Sequence, residues 1–241
     1  MFVLCALDLA LLAWTFLRWR ELRHPVLGLI VFLLLALPYD TALVGAGCWI
    51  GEGAFLERLS GPRFMLFSLS LPLTMVLAAG MARLAGIGWL QPRWVMGAVC
   101  LAASGFIVLD WRSILLFPQL YPACWQDTLR YVPSVLAEQA CSAAQAGVGL
   151  PGRFPPAAAL AVPMLFVSAA LVWWRTRWPW MLAGTLAGFA FLGLPPRLVG
   201  PIPGFLGDSL SMLALAVTAA RLAPRGSRAV AAASGQPRLA K

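Results

Sequence analysis

The chain has a single histidine, His24, and a single lysine, Lys241, and neither falls within an apolar run. Histidine-ligated di-iron chemistry and histidine-based catalytic triads therefore lack their residues. A lysine Schiff base inside a helix is excluded on the same ground, and no glycine-rich phosphate loop ending in Lys occurs. Charge is scarce as well: Asp, Glu, Lys and Arg make up 11% of the 241 residues, and nine residues are acidic. A soluble domain carries about a quarter of its residues as charges, so this composition does not suit one. Nothing in the sequence calls for a metal or a cofactor. Any catalysis is left to carboxylates, arginines, tyrosines and hydroxyls.

What is abundant is apolar surface, with 61% hydrophobic residues and a mean hydropathy of +0.83. The fold class expected is all-α, a polytopic transmembrane helical bundle, since at about 20 residues per crossing six to eight helices fit. Seven spans are expected: Phe2 to Leu17, Pro25 to Val44, Phe64 to Leu84, Trp94 to Phe117, Pro155 to Trp174, Trp178 to Leu194 and Phe205 to Leu222. They form one domain, residues 1–222, with a long loop at 118–154 and a small, polar, basic tail at 223–241 that is expected to be disordered. No basic residue precedes the first apolar run, which disfavours a cleaved signal peptide.

Orientation follows from the basic residues. Arg18, Arg20, Arg23, Arg83, Arg93, Arg175, Arg177, Arg221, Arg225, Arg228, Arg238 and Lys241 fall on one side, 12 of the 18 basic residues, with Glu21 as the one acid. The positive-inside rule puts that side in the cytoplasm, the N-terminus outside and the loop 118–154 outside. The net charge of +9 is thus a topology signal and no nucleic-acid partner is expected. The Arg-heavy, Lys-poor composition fits the inner membrane of a high-GC bacterium. Trp14, Trp19, Trp94, Trp173, Trp174, Trp178 and Trp180 cluster near the basic ends, where indoles anchor helices at the interface. Gly184 and Gly188 are spaced for close helix approach, whereas Gly47 and Gly51 read as loop flexibility.

Five cysteines are present. Cys124 and Cys141 flank the stretch from Trp125 to Ala140, read as an amphipathic helix lying on the outer interface, and they are the favoured disulfide pair, with Cys48 as competitor. Cys5 and Cys100 fall inside spans and read as packing residues.

The acids inside the spans carry the functional signal, because an ionised Asp near a helix centre costs about 3 kcal/mol on insertion scales. Asp8, Asp40 and Asp110 all fall in the outer half of their helices, and Asp208 at the outer start of the last. They are expected in one outer-leaflet polar cavity, with Tyr39 and Glu52 nearby and Arg112 or Arg197 as counter-charge. Asp8, Asp40 and Asp110 are the candidate catalytic groups. Proton transfer to an apolar substrate is the reaction this inventory suits.

Leu37, Pro38, Tyr39 and Asp40, then Leu43, Val44, Gly47 and Trp49, and Leu71, Pro72 and Leu73 after a leucine-rich run, resemble the membrane-embedded lycopene cyclases of bacteria and archaea. In that family a Pro-Trp-Asp-Asn segment ends a helix, a Gly-x-Trp follows and the next helix carries paired glutamates. Here Tyr39 stands for Trp, Thr41 for Asn, and Thr74 and Met75 for the glutamates. The resemblance implies isoprenoid chemistry, with Asp40 in the family's aspartate position. Three classes of function follow: binding or modifying an apolar lipid or isoprenoid; transport of a small solute or ion; and an accessory role with a membrane-protein partner. Membrane lipids and a lipophilic ligand are the expected partners of the first.

Overall fold

A computed structural model describes residues 1–116, 120–126, 128–135, 139–142, 156–195 and 199–233, with 112–116 and 224–233 described by backbone alone. The helices are α1 (Phe2–Leu22), α2 (Pro25–Leu34), α3 (Ala36–Ile50), α4 (Ala54–Leu84), α5 (Arg93–Leu116), α6 (Pro156–Thr176), α7 (Trp180–Leu192) and α8 (Ile202–Ala233), with strands β1 (Tyr121–Trp125) and β2 (Thr128–Val132) between α5 and α6. Among the described residues six helices are long and apolar enough to cross a membrane, counting α2 and α3 as one span, and α7 is a shorter apolar helix. The chain is a multi-pass membrane protein. The basic tail expected to be disordered from residue 223 keeps helical backbone to Ala233, and 234–241 lie outside the described residues.

The first turn of the bundle has a local cause at every position. Arg23 takes the left-handed conformation that ends α1, with φ 49°. His24 then caps α2, its Nδ1 accepting the Val26 N–H at 3.3 Å, and Pro25 occupies the first helical turn, where no N–H is needed. Between α2 and α3 the helix is interrupted at Leu35. Pro38 explains it: proline offers no N–H to the Leu34 carbonyl and its ring crowds that turn.

Two boundaries differ from expectation. The second span runs to Ile50, so Cys48 and Trp49 are helical and Glu52 sits in the short Gly51–Gly53 connection. The third begins at Ala54, ten residues before Phe64, and its 31 residues reach roughly 46 Å, longer than a hydrocarbon core of about 30 Å. Backbone inside a helix satisfies its own hydrogen bonds, so the helix continues past the apolar stretch with polar side chains on it.

The main core joins α2, α4, α6, α7 and α8, with Leu27, Ile30, Leu77, Met81, Met181 and Leu215 fully enclosed. Close approach is bought by small residues: a methyl group at Gly184 would strike Ala214, and one at Gly188 would strike Ser211 and the Gly207 carbonyl, so α7 lies directly on α8. Ser168 of α6 donates to the Ala78 carbonyl of α4 at 2.6 Å.

The segment expected as an amphipathic helix from Trp125 to Ala140 is instead mainly a hairpin. Tyr121 pairs with Val132 and Trp125 with Thr128, antiparallel. The run Thr128-Leu129-Arg130-Tyr131-Val132 alternates with period two, burying Leu129 and Tyr131, and is rich in β-branched and aromatic residues. Gln126 turns the chain with φ 46°. The Cys124–Cys141 disulfide is present, with Cα atoms 4.9 Å apart, while Cys48 is free and exposed. Leu129 and Tyr131 pack on Leu43 and Leu56 of α3 and α4. Gly47, expected to confer loop flexibility, is the seat of this hairpin, because any side chain there would run into the Leu129 carbonyl.

Candidate functional site

Helix register sets the depth of the acids. Asp8 lies 14 residues before Leu22, Asp40 15 residues after Pro25 and Asp208 14 residues before Leu222, each about 21 Å from the arginine-rich end of the bundle. All three therefore face one layer, near the hairpin.

Asp8 is 1% exposed and its partners are neutral hydroxyls from two other helices. Ser209 of α8 donates to Oδ1 at 2.6 Å and Thr41 of α3 to Oδ2 at 3.3 Å. Each hydroxyl has one proton and a second acceptor within reach, the Phe205 carbonyl at 3.0 Å for Ser209 and the Leu37 carbonyl at 3.0 Å for Thr41. A proton can thus be added to or taken from Asp8 with every donor still satisfied.

Asp40, next to Thr41, faces a cation instead: Arg63 of α4 ion-pairs with its Oδ1. The Arg63 guanidinium lies 5.4 Å from the Phe64 ring and 6.0 Å from the Phe205 ring. Aromatic faces of this kind hold a guanidinium in an apolar setting. Its Nη1 has no hydrogen-bond partner among the described residues. Arg130 of β2 lies within electrostatic range of the pair, its Nη2 donating to Gln139 Oε1 at 3.2 Å. Burial, reinforced by the like charge of Arg63 and opposed by Asp40, pulls the Arg130 guanidinium down to about 10. Asp208 lies within electrostatic range of Asp40 and Asp8. Its side chain is exposed.

Around this centre the outer contacts hold the hairpin down. The Tyr39 hydroxyl donates to the Leu59 carbonyl at 2.7 Å, tying α3 to α4. The Gly53 N–H donates to the Tyr131 hydroxyl at 3.0 Å, and burial, with Glu52 and Glu57 adding to it, pushes that phenol above its ordinary range.

Of the four aspartates expected together, three meet. Asp110 is apart from them: α5 packs on α4 and α6, and although Asp110 is 4% exposed, neither carboxylate oxygen has a hydrogen-bond partner among the described residues. The counter-charge also differs from expectation, because Asp40 is paired by Arg63 with Arg130 in electrostatic range, while the Arg112 side chain and Arg197 lie outside the described residues. In the folded helix Leu56, Ser60 and Arg63 are spaced i, i+4, i+7 on one face, and the first two are buried. Among the described residues no group of three or more His, Cys, Asp or Glu is placed to hold a metal ion. The site offers one carboxylate against a cation and one against exchangeable hydroxyl protons, in a layer walled by apolar helices. No protein-family model, curated protein or solved structure matches the chain, so what it is must be read from this geometry.

Proposed function

We propose that this multi-pass membrane protein binds an apolar lipid or isoprenoid whose polar or reactive end is held in the layer of Asp8, Asp40 and Arg63. The observation that carries this reading is the convergence of a half-buried Asp40–Arg63 pair and a hydroxyl-held, buried Asp8 from α1, α3, α4 and α8 at one depth of an apolar bundle. Such groups are costly inside a membrane protein and mark sites where something polar must be met. Asp40 and Arg63 fix the ligand's polar end; Asp8 supplies or stores a proton. The resemblance of the Pro38–Asp40 stretch to membrane-embedded lycopene cyclases supports an isoprenoid ligand. With the arginine-rich end cytoplasmic, the site opens to the outer leaflet under the hairpin.

The test is mass spectrometry and an absorption spectrum on the protein purified in mild detergent from its native membrane. A stoichiometric lipophilic molecule is expected in the parent and its loss in Asp40→Asn and Arg63→Gln, at unchanged expression. A parent free of any such molecule would sink the proposal. A second reading, passage of a small solute or ion, draws on the exposed Asp208 within electrostatic range of Asp40 and Asp8. It requires flux in vesicles that falls in Asp8→Asn and Asp208→Asn.

A further inference from the structure

At the opposite end of the bundle a cavity of about 920 Å³ opens between α2, α4, α5 and α6. Its interior is apolar, formed by Leu29, Val76 and Met96 among others. Val76 lies eight residues inside the end of α4 at Leu84, so the cavity reaches about 12 Å below that end, into hydrocarbon depth. Its rim carries Arg83 and Arg175, with His24 beside them, and among the described residues no acid lines it. Both arginines stand in the last turn of their helices, where a cation suits the dipole. That accounts for their charge and leaves the cavity between them unexplained.

The two arginines are disposed to bind an anion. Arg83 donates through Nη2 to the Gln91 carbonyl at 2.9 Å, and Gln91 returns a bond to the Arg83 carbonyl at 3.0 Å. This pins the side chain at the mouth and uses one of its five donors. Arg175 is exposed and has no hydrogen bond or ion pair among the described residues. Cationic rims over apolar clefts between membrane helices match an anionic head group with its acyl chains, and a free anion would leave the apolar interior unfilled.

We infer that this cavity is a binding site for an anionic phospholipid of the leaflet on the arginine-rich side, its phosphate on Arg83 and Arg175 and an acyl chain along Leu29, Val76 and Met96. It is independent of the site at the hairpin end.

The experiment is native mass spectrometry of the full chain in mild detergent, titrated with dioleoyl-phosphatidylglycerol and, separately, dioleoyl-phosphatidylcholine. The first should bind at roughly thirtyfold lower concentration than the second, the scale of two basic groups near an anionic head group. The double variant Arg83→Gln/Arg175→Gln should bring the two lipids to within about twofold of each other. Met96→Trp should fill the cavity and weaken both. Each variant is compared at parental elution volume and with the Cys124–Cys141 disulfide intact. Arg58→Gln, an exposed basic residue at the other end and outside the cavity, should bind phosphatidylglycerol as the parent does. Equal binding of the two lipids by the parent overturns the inference, as does a preference that survives in the double variant. Competition by glycerol phosphate as strong as that by the whole lipid would also overturn it, since the acyl chain would then contribute nothing.

Discussion

The two ends of the bundle treat charge in opposite ways. At the hairpin end polar groups from different elements meet within the bundle: Asp40 with Arg63, Arg130 in electrostatic range of both, and Asp8 with Thr41 and Ser209. At the arginine-rich end the charges stay near the surface and lean on nearby rings. Arg18 lies 6.0 Å from the Trp14 ring, Arg23 5.8 Å from Trp19 and Arg221 3.9 Å from Trp178, and the Arg18–Glu21 pair is exposed. Mixed charge drawn inward needs the fold to be complete before it is compensated. Charge of one sign left outward is compensated by water, indoles and lipid, and so specifies orientation rather than packing.

The sharpest break of this comparison is the removal of one cation from each end. Arg63→Met should lower stability by about 2 to 4 kcal/mol, because Asp40, whose side chain is 27% exposed, is left half-buried against no charge. Arg18→Met should cost under about 1 kcal/mol, its pair being exposed. Thermal unfolding in one detergent measures both, and Arg63→Met/Asp40→Asn should recover most of the larger loss. Additive losses in that double variant would mean that the two residues do not act as a pair.

A smaller effect separates the ends through the disulfide. Cys124→Ser/Cys141→Ser releases a loop of sequence separation 17 and should cost about 3 kcal/mol, felt at the hairpin. Limited proteolysis should then cut near β2 while the turn at Arg23 to Pro25 keeps its parental resistance. Faster cutting at both places would show that the hairpin supports the whole bundle.

The smallest expected effect belongs to the arginine-rich end. Burial lowers the pKa of His24 below its ordinary value near 6.5, and its Nδ1 accepts a hydrogen bond that protonation would abolish. The unfolded chain therefore takes up this proton first. The contribution is complete above about pH 6.5 and is lost as pH falls through that value toward the folded one. Unfolding temperatures at pH 7.5 and 5.0 should differ more in the parent than in His24→Asn, which keeps a cap that does not titrate, by under about 1 kcal/mol. Identical pH dependence in the two proteins would remove the cap from the account.

Much of the bundle was legible because each membrane helix answers to its own composition. The spans from Pro25, from Trp94 and toward Leu222 could be located from hydropathy, and the shared depth of Asp8, Asp40 and Asp208 followed by counting residues along them. The pairing of Cys124 with Cys141 was legible from their position on one loop. Arg63 was not. It stands with Glu57 and Arg58 in a stretch whose charge lowers local hydropathy, and it was read as loop although the helix continues there. Trp125 to Ala140 was misread by period: Leu129 and Tyr131 alternate as in a strand, and the surface that selects that alternation, Leu43 and Leu56, is distant in sequence. Gly47 reads as a flexible residue until the hairpin that needs its bare backbone is in place.

That the chain forms a membrane-embedded helical bundle follows from composition alone, because the cost of exposing backbone to lipid is met within each segment and needs no partner. Which polar groups meet is settled by how the helices pack. Asp8 and Ser209 are 201 positions apart, and Gly53 and Tyr131 78 apart. Contacts of that kind depend on how helices pack side by side, which is set by small residues and side-chain shape across the whole chain, and no local pattern encodes them.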